Sequence, residues 1–357
     1  MLKRVLETEG VPAISVVIPV YNGEKYIERC VTRIEELNND LLDDLEIIIV
    51  NDGSCDNSLS ISKLLSARYD NIVVISKSNG GIASSRNTGL LLAKGKYVVF
   101  CDQDDSHIKS LTPFLKEIET SQSDLMITNY KLSDGRTKKL FKYQEMCDRN
   151  KVSSMACYML AYGLVPFSDV PINPLCDVST VWNCIFRRDF LENHHIQFGA
   201  FVDYEDDWKF VTECLVKAAR VYLDADQFYC WTVNPNSESH THKYITNYVE
   251  KRECLITWIM EQLSKCGVSD DLIKQYRYSP EICRSVVMDN FYNACSLNYS
   301  GYKKDIDNMQ KHGWVVNKST ITKAKTKPQL LFLILLHLKL YRTAFVLNKF
   351  ILKRIYH

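Results

Sequence analysis

Between residues 14 and 101, four short apolar runs alternate with three segments of helical length. The runs are Ile14–Val20, Leu45–Val50, Ile72–Ser76 and Lys96–Cys101; the segments are Lys25–Leu37, Ser58–Arg68 and Ile82–Ala93. The runs are rich in Val and Ile and continuous in their apolarity, which suits strands covered on both faces. Strands joined through helices are parallel, and the crossovers are right-handed. This rhythm therefore predicts an open α/β sheet, and in such sheets ligands bind beyond the carboxyl ends of the strands.

Those ends are where the informative residues lie. The first run leads into Pro19, Tyr21, Asn22 and Glu24, and the second into Asn51-Asp52-Gly53-Ser54. The third is followed by Asn79-Gly80-Gly81 and, on the next helix, Arg86; the fourth by Asp102-Gln103-Asp104-Asp105. Three carboxylates within four residues repel one another. Two outcomes follow: a solvated turn with a helix cap, or a hard oxygen site for Mg²⁺ or Mn²⁺. A nucleoside diphosphate needs the parts assembled here: an aromatic ring and a carboxylate for base and ribose, a cation and an Arg for the phosphates. A dinucleotide fingerprint and a P-loop are both missing after the first strand, which sets aside those nucleotide sites.

Charge and cysteine usage narrow the classes further. The chain has 44 basic and 43 acidic residues. Ten of the basic ones and none of the acidic ones fall between Asn308 and His357. Residues 1–307 thus carry 34 basic against 43 acidic, a net charge of −9. An acidic body with one basic end disfavours nucleic-acid binding. Thirteen cysteines without a CxxC pair fit a reducing cytosol and no structural zinc. Met1–Val11 lacks a signal-peptide core, and the longest apolar run, Leu330–Leu338, is half a membrane span.

Past residue 105 the pattern becomes mixed. Leu125–Asn129 and Val181–Phe186 read as strands, and Lys142–Val178 as a less regular region. A second acidic cluster, Asp203-Tyr204-Glu205-Asp206-Asp207, precedes a helix at Trp208–Ala219 and a strand at Arg220–Leu223. From Tyr244 onward the pattern is helical. Between Pro328 and Arg354 the basic residues Lys339, Arg342, Lys349 and Lys353 fall on one side of a continuous helix, with Leu, Phe, Ile and Val on much of the rest. This is the pattern of an interfacial helix on an anionic membrane; the rival reading is a helix packed on the body.

The residues just quoted carry a resemblance. Val17-Ile18-Pro19-Val20-Tyr21-Asn22, Asn51-Asp52-Gly53-Ser54, Asn79-Gly80-Gly81 with Arg86-Asn87-Thr88-Gly89, and Asp102-Gln103-Asp104-Asp105 resemble the family 2 glycosyltransferases. A looser likeness runs through Val181-Trp182-Asn183, Tyr204-Glu205-Asp206-Asp207 and Asn234-Pro235-Asn236-Ser237. The resemblance implies a GT-A fold: a Rossmann-like nucleotide-binding half (1–115), a mixed-sheet acceptor half (116–240) and a helical C-terminal extension (241–357).

The resemblance also implies roles. Tyr21 and Asp52 would hold the uracil, with Pro19, Glu24, Asn79 and Gln103 around the nucleotide. Arg86 would face the ribose and diphosphate, and Asp102 the ribose or sugar. Asp104, with Asp105 or the later His242 (or His240) as further ligands, would hold Mn²⁺ or Mg²⁺. Asp206 would be the general base of an inverting transfer, tuned by Glu205 through like-charge repulsion. Trp182 and Asp203 would lie toward the acceptor, Trp182 as core by preference or as a sugar platform. The expected donor is a UDP-hexose or UDP-N-acetylhexosamine. The expected acceptor is a saccharide on undecaprenyl diphosphate, at the inner face of the plasma membrane, in O-antigen or capsule assembly. Two departures touch the second half: Cys184 stands where relatives often have Lys, and Thr232 where they often have Arg. The rival functions are a nucleotidyltransferase that makes nucleotide sugars, whose Gly-rich basic first loop is missing, and a non-catalytic sugar-binding relic.

Overall fold

Every one of the four apolar runs forms a strand in the computed structural model, which describes residues 11–41, 43–164, 179–201, 206–233, 244–277, 279–294 and 297–347. The elements alternate as β1 (Ile14–Val20), α1 (Ile27–Leu37), β2 (Leu45–Asp52), α2 (Ser58–Arg68), β3 (Ile72–Lys77), α3 (Ile82–Leu92) and β4 (Tyr97–Phe100). β1 pairs in parallel with β2 on one side and β4 on the other, and β2 pairs in parallel with β3. Strands β1, β2 and β4 are wholly buried, as continuous apolar runs between helical layers must be. Because β1 sends one neighbour each way, the crevice at its carboxyl end is the topological switch point of the sheet.

The chain continues with β5 (Ser106–His107), α4 (Thr112–Ser121), β6 (Leu125–Thr128), β7 (Tyr130–Leu132), β8 (Thr137–Lys138), β9 (Glu145–Cys147) and α5 (Arg149–Leu164). After these come β10 (Cys184–Arg187), α6 (Arg188–Asn193), α7 (Asp206–Lys217), β11 (Val221–Asp224) and β12 (Tyr229–Trp231). The main sheet has eight strands in the order β3-β2-β1-β4-β10-β6-β11-β9, with β10 antiparallel to both neighbours. A smaller sheet is ordered β5-β12-β7-β8. The first half is thus Rossmann-like and parallel, and the second mixed.

Two expectations for this stretch are corrected. Residues 142–178 were expected to be irregular, yet β9 and α5 lie among them. In α5 the buried residues Val152, Met155, Ala156, Met159 and Leu160 recur at i, i+3, i+4, i+7 and i+8, a helical stripe masked by the polar residues before it. The strand expected from Val181 begins at Cys184, because Val181-Trp182-Asn183 form a turn in which the Cys184 N–H donates to the Val181 carbonyl (3.2 Å).

Two compact units divide the chain. One comprises Met1–Ala156, Ile172–Ala200 and Glu205–Pro235; the other comprises Cys157–Pro171, Phe201–Tyr204 and Asn236–His357. The second contains α8 (Tyr248–Lys265), α9 (Asp270–Arg277), α10 (Pro280–Ala294), α11 (Tyr299–Lys311), α12 (Lys318–Ile321) and α13 (Lys327–His337). Its core gathers Phe291, Tyr302 and Phe332, with ring centroids 5.8 and 4.8 Å from Phe291. The Asn298, Asn317 and Thr326 side chains each accept the N–H of the third residue on, capping α11, α12 and α13.

The continuous helix expected from Pro328 to Arg354 is broken. α13 ends at His337, and Lys339 takes φ +58°. The Leu340 N–H donates to the Leu335 carbonyl and the Lys339 N–H to the Leu336 carbonyl, a Schellman end with Lys in place of the usual Gly. Residues 341–347 are helical again; Lys349 and Lys353 lie outside the described residues.

Helix α3 approaches β1 so closely that a Cβ on Gly89 would lie 2.2 Å from Val17 Cγ1. Gly89→Ala is expected to lower stability in urea unfolding by about 1–3 kcal/mol. Combined with Val17→Ala it should cost less than the two single losses added. Strict additivity would show that close approach is not what fixes this glycine.

Candidate active site at the strand ends

Consecutive loops are fastened to one another at the carboxyl end of the parallel strands. The Tyr21 N–H donates to Gln103 Oε1 (3.0 Å), and Gln103 Nε2 donates to the Tyr21 carbonyl (3.0 Å). Gln103 thus closes the switch point between β1 and β4 with a two-bond amide clamp. It is a lock on the loop backbone, where the expectation was a nucleotide contact. The clamp requires Gly23, whose Cβ would sit 2.1 Å from Gln103 Oε1. The Tyr21 ring itself remains 42% exposed at the mouth of the crevice.

Asp52, at the end of β2, is almost fully buried. It accepts from Lys77 Nζ (2.5 Å) and from the N–H groups of Gly80 (3.0 Å) and Gly81 (2.8 Å). Burial pushes its carboxyl up, but these donors together outweigh it and hold it below the usual carboxylate range. Three of about four lone-pair positions are filled, which leaves one for a further donor. Gly81 has φ +84°, the left-handed conformation that lets the loop wrap this carboxylate. Pro19 is buried within β1, and Asn79 is exposed on the wrapping loop.

Glu24 is turned away from the crevice. Its Oε2 accepts from both the N–H (3.0 Å) and the Nδ2 (2.9 Å) of Asn57, so it caps the loop before α2. The expected contact with the nucleoside is replaced by this turn chemistry.

Arg86 reaches across the site. Its guanidinium is 2% exposed and bridges three carboxylates. Nη2 donates to Asp102 Oδ1 at 2.9 Å, and Nη1 to Asp206 Oδ2 at 3.1 Å and to Asp207 Oδ1. The Arg therefore lies inside, joining the end of β4 to the first turn of α7. Burial works against its charge, but Asp207, Asp102 and Asp206 outweigh it and raise its pKa. Burial pushes Asp207 up to about 7 despite the guanidinium beside it.

The aromatic bed beneath explains why α7 arrives there. Phe210 of α7 stacks on Phe198 (4.0 Å), and both meet Phe100 of β4 edge-on. The Arg86 guanidinium lies over the Phe198 ring (5.4 Å), and Asn87 exchanges two hydrogen bonds with the Phe198 backbone.

Asp105 is also corrected. It is buried, accepting from the Tyr229 hydroxyl (2.6 Å) and the Thr232 N–H (2.6 Å), so it braces the site from behind instead of ligating beside Asp104. Burial, with Asp102 nearby, pushes its carboxyl up to about 8. The Tyr229 hydroxyl accepts the Asp102 N–H (3.1 Å), tying the loop down a second time. Trp182 stacks on Tyr229 (4.7 Å, 18° between planes), with Tyr130 edge-on to it (4.6 Å). Its indole is buried core, as preferred, and presents no open platform.

Asp104 stays half-buried in the loop, its carbonyl accepting from Arg29 Nη2 (3.0 Å). Among the described residues no group of three His, Cys, Asp or Glu is disposed to hold a metal ion. The donors at this loop are carboxylate oxygens, so the residues present fit a hard divalent ion completed by phosphate oxygens and not one caged by protein alone. Glu205, Asp203, His240 and His242 lie outside the described residues.

Tyr229 escaped the sequence reading, whereas Lys77 and Asp207 belong to the strand-end and acidic stretches that it marks. Tyr229 sits in an aromatic run, Phe228-Tyr229-Cys230-Trp231, that reads only as strand.

Removing Arg86 leaves buried carboxylates uncompensated. Arg86→Met is expected to cost about 3–5 kcal/mol at pH 8. Asp207 is raised above its unfolded value, so its contribution is complete at low pH and lost as pH rises through about 7. The deficit of the variant should therefore shrink between pH 8 and pH 5, read by urea unfolding at each pH. A deficit independent of pH would separate Asp207 from this network.

With the geometry in view, the comparisons with known proteins agree. The family model described as Glycosyl transferase family 2 matches residues 15–193. The uncharacterized glycosyltransferase EpsJ of Bacillus subtilis is 29% identical over 238 residues, covering 64% of this chain and 63% of its own length. The poly(ribitol-phosphate) beta-glucosyltransferase of Bacillus spizizenii is 28% identical over 239 residues, covering 65% of this chain and 34% of its own. The chain thus spans less than two thirds of these relatives. Among solved structures, S. aureus TarS 1-349 in complex with UDP-GlcNAc superposes with a TM-score of 0.62 at 19% identity, covering 94% of this chain and 91% of TarS 1-349. The fold is that of the GT-A glycosyltransferases.

Proposed function

The chain belongs to glycosyl transferase family 2, and from that premise we propose that it moves a hexose or N-acetylhexosamine from a UDP-sugar to a saccharide hydroxyl with inversion at the anomeric carbon. The observation that carries this reading is the Arg86 bridge. One guanidinium spans Asp102 on the strand-end loop and Asp206 on α7, which supports assigning donor binding and proton removal to one site. The UDP-GlcNAc complex of TarS supports a UDP-sugar donor, and the poly(ribitol-phosphate) beta-glucosyltransferase supports a polymer as the acceptor.

In this reading Tyr21 covers the uracil face and Asp52 accepts the base N–H through its remaining lone pair. Asp104 would hold Mn²⁺ or Mg²⁺. A bound ion supplies Lewis-acid stabilisation of the departing UDP. Asp206 takes the proton from the acceptor hydroxyl as its oxygen attacks the anomeric carbon and the bond to the diphosphate oxygen breaks. One base and no enzyme nucleophile make the transfer a single displacement, hence inverting. Asp102 and Asp206, bridged by Arg86, are held in register before substrate arrives, and that preorganisation favours the transition state. In this reading the acceptor is a saccharide on undecaprenyl diphosphate, and the enzyme works in surface-polysaccharide assembly on the cytoplasmic side.

Thermal unfolding with UDP and Mn²⁺ tests the donor half. UDP should raise Tm in Mn²⁺ but much less in EDTA, and more than GDP or dTDP; no shift with any nucleoside diphosphate would sink the reading. For the base, Asp206→Asn should reduce UDP release by about 100-fold or more while retaining the UDP-driven Tm shift. Full-rate transfer by that variant would remove Asp206 as base.

A further inference from the structure

Helix α13 is apolar on all sides, which ordinarily marks a helix enclosed by protein. Only one side of it is enclosed. Phe332, Leu333, Leu335 and Leu336 are buried, while Leu330, Leu331 and Leu338 are 41%, 43% and 58% exposed. These three recur at i, i+1 and i+8 with Ile334 half-buried between them, so they form one stripe along the helix. Past the Schellman turn, exposed Leu340 and Val346 continue the apolar surface. Scattered exposed leucines need no explanation, but a stripe of this kind does.

The surroundings of the stripe are cationic. Exposed Lys325 and Lys327 precede it, and exposed Lys339 and Arg342 follow. No Asp or Glu occurs anywhere from Asn308 to His357. An apolar stripe between cationic ends suits a surface that offers hydrocarbon below anionic groups. It does not suit a two-fold contact with a second copy, which would set the same positive rims against each other. Among the described residues no helix is long and apolar enough to cross a bilayer. We infer that the α13 face, from Leu330 to Val346, is a docking surface that lies on an anionic lipid bilayer, the leucines entering the acyl boundary and the Lys and Arg side chains meeting the headgroups. The surface stands independently of the transferase reading; only its consequence, that the acceptor is itself lipid-borne, rests on that reading.

The test is sedimentation of the full chain with vesicles, without donor or metal. The protein should bind phosphatidylglycerol-rich vesicles and bind phosphatidylcholine vesicles far less, with added salt weakening the former. Leu331→Glu combined with Leu338→Glu should lower binding by about tenfold or more, given the transfer free energy of two leucines. Lys339→Glu combined with Arg342→Glu should erase the preference for anionic lipid. Leu331, Leu338 and Lys339 are exposed, and exposed Arg342 also lies over the Tyr299 ring (5.7 Å), so an unchanged melting curve is required to confirm that each variant folds. Three results would overturn the inference: no vesicle binding by the wild type, equal binding to both vesicle types, or a dimer in light scattering that the leucine substitutions dissociate.

Discussion

A single buried guanidinium holds this site together. Arg86 emerges from α3, at the heart of the parallel half, yet its partners come from the end of β4 and the start of α7, sixteen and about 120 residues away. Burying a charge is costly unless it is paired and hydrogen bonded. Asp102, Asp206 and Asp207 offset that cost together, and each would repel the others were the Arg absent. The interaction thus works in both directions: the carboxylates keep the Arg buried, and the Arg lets three acids gather.

The packing around it makes the arrangement specific. Phe100, Phe198 and Phe210 form the floor, and Asn87 fixes the Phe198 backbone. On the other flank, Gln103 clamps the β1 and β4 loops while Tyr229 holds Asp102 and Asp105. Several polar residues at the crevice are therefore committed to shaping loops. Tyr21 and Asn79 stay exposed at the crevice.

How much of this was legible in the sequence follows from what sets each feature. β1 and α2 match their expected bounds because strand and helix here follow from local apolar pattern and punctuation. The helix α5 was hidden, its stripe preceded by Lys142, Gln144, Asp148 and Arg149. The tail was expected as one helix because its periodicity is continuous; the left-handed turn at Lys339 depends on Leu340 reaching back to Leu335, which no local pattern announces. At the site, residue types were legible while directions were not. Glu24 and Gln103 have the chemistry of ligands, and only the loop geometry shows them bonded to Asn57 and to the Tyr21 backbone. Arg86 was legible as a charged partner, but its bridge to Asp102, Asp206 and Asp207 is a tertiary fact.

In the mechanism proposed, donor binding and proton removal share one site joined by Arg86. The most direct measurement is a crystal structure with UDP and Mn²⁺, using anomalous scattering to locate the metal. Mn²⁺ is expected beside Asp104 and the diphosphate, the uracil between Tyr21 and Asp52, and Arg86 still bridging Asp102 and Asp206. A metal bound elsewhere, or an Arg86 that leaves Asp206 to grip the phosphates, would contradict this mechanism.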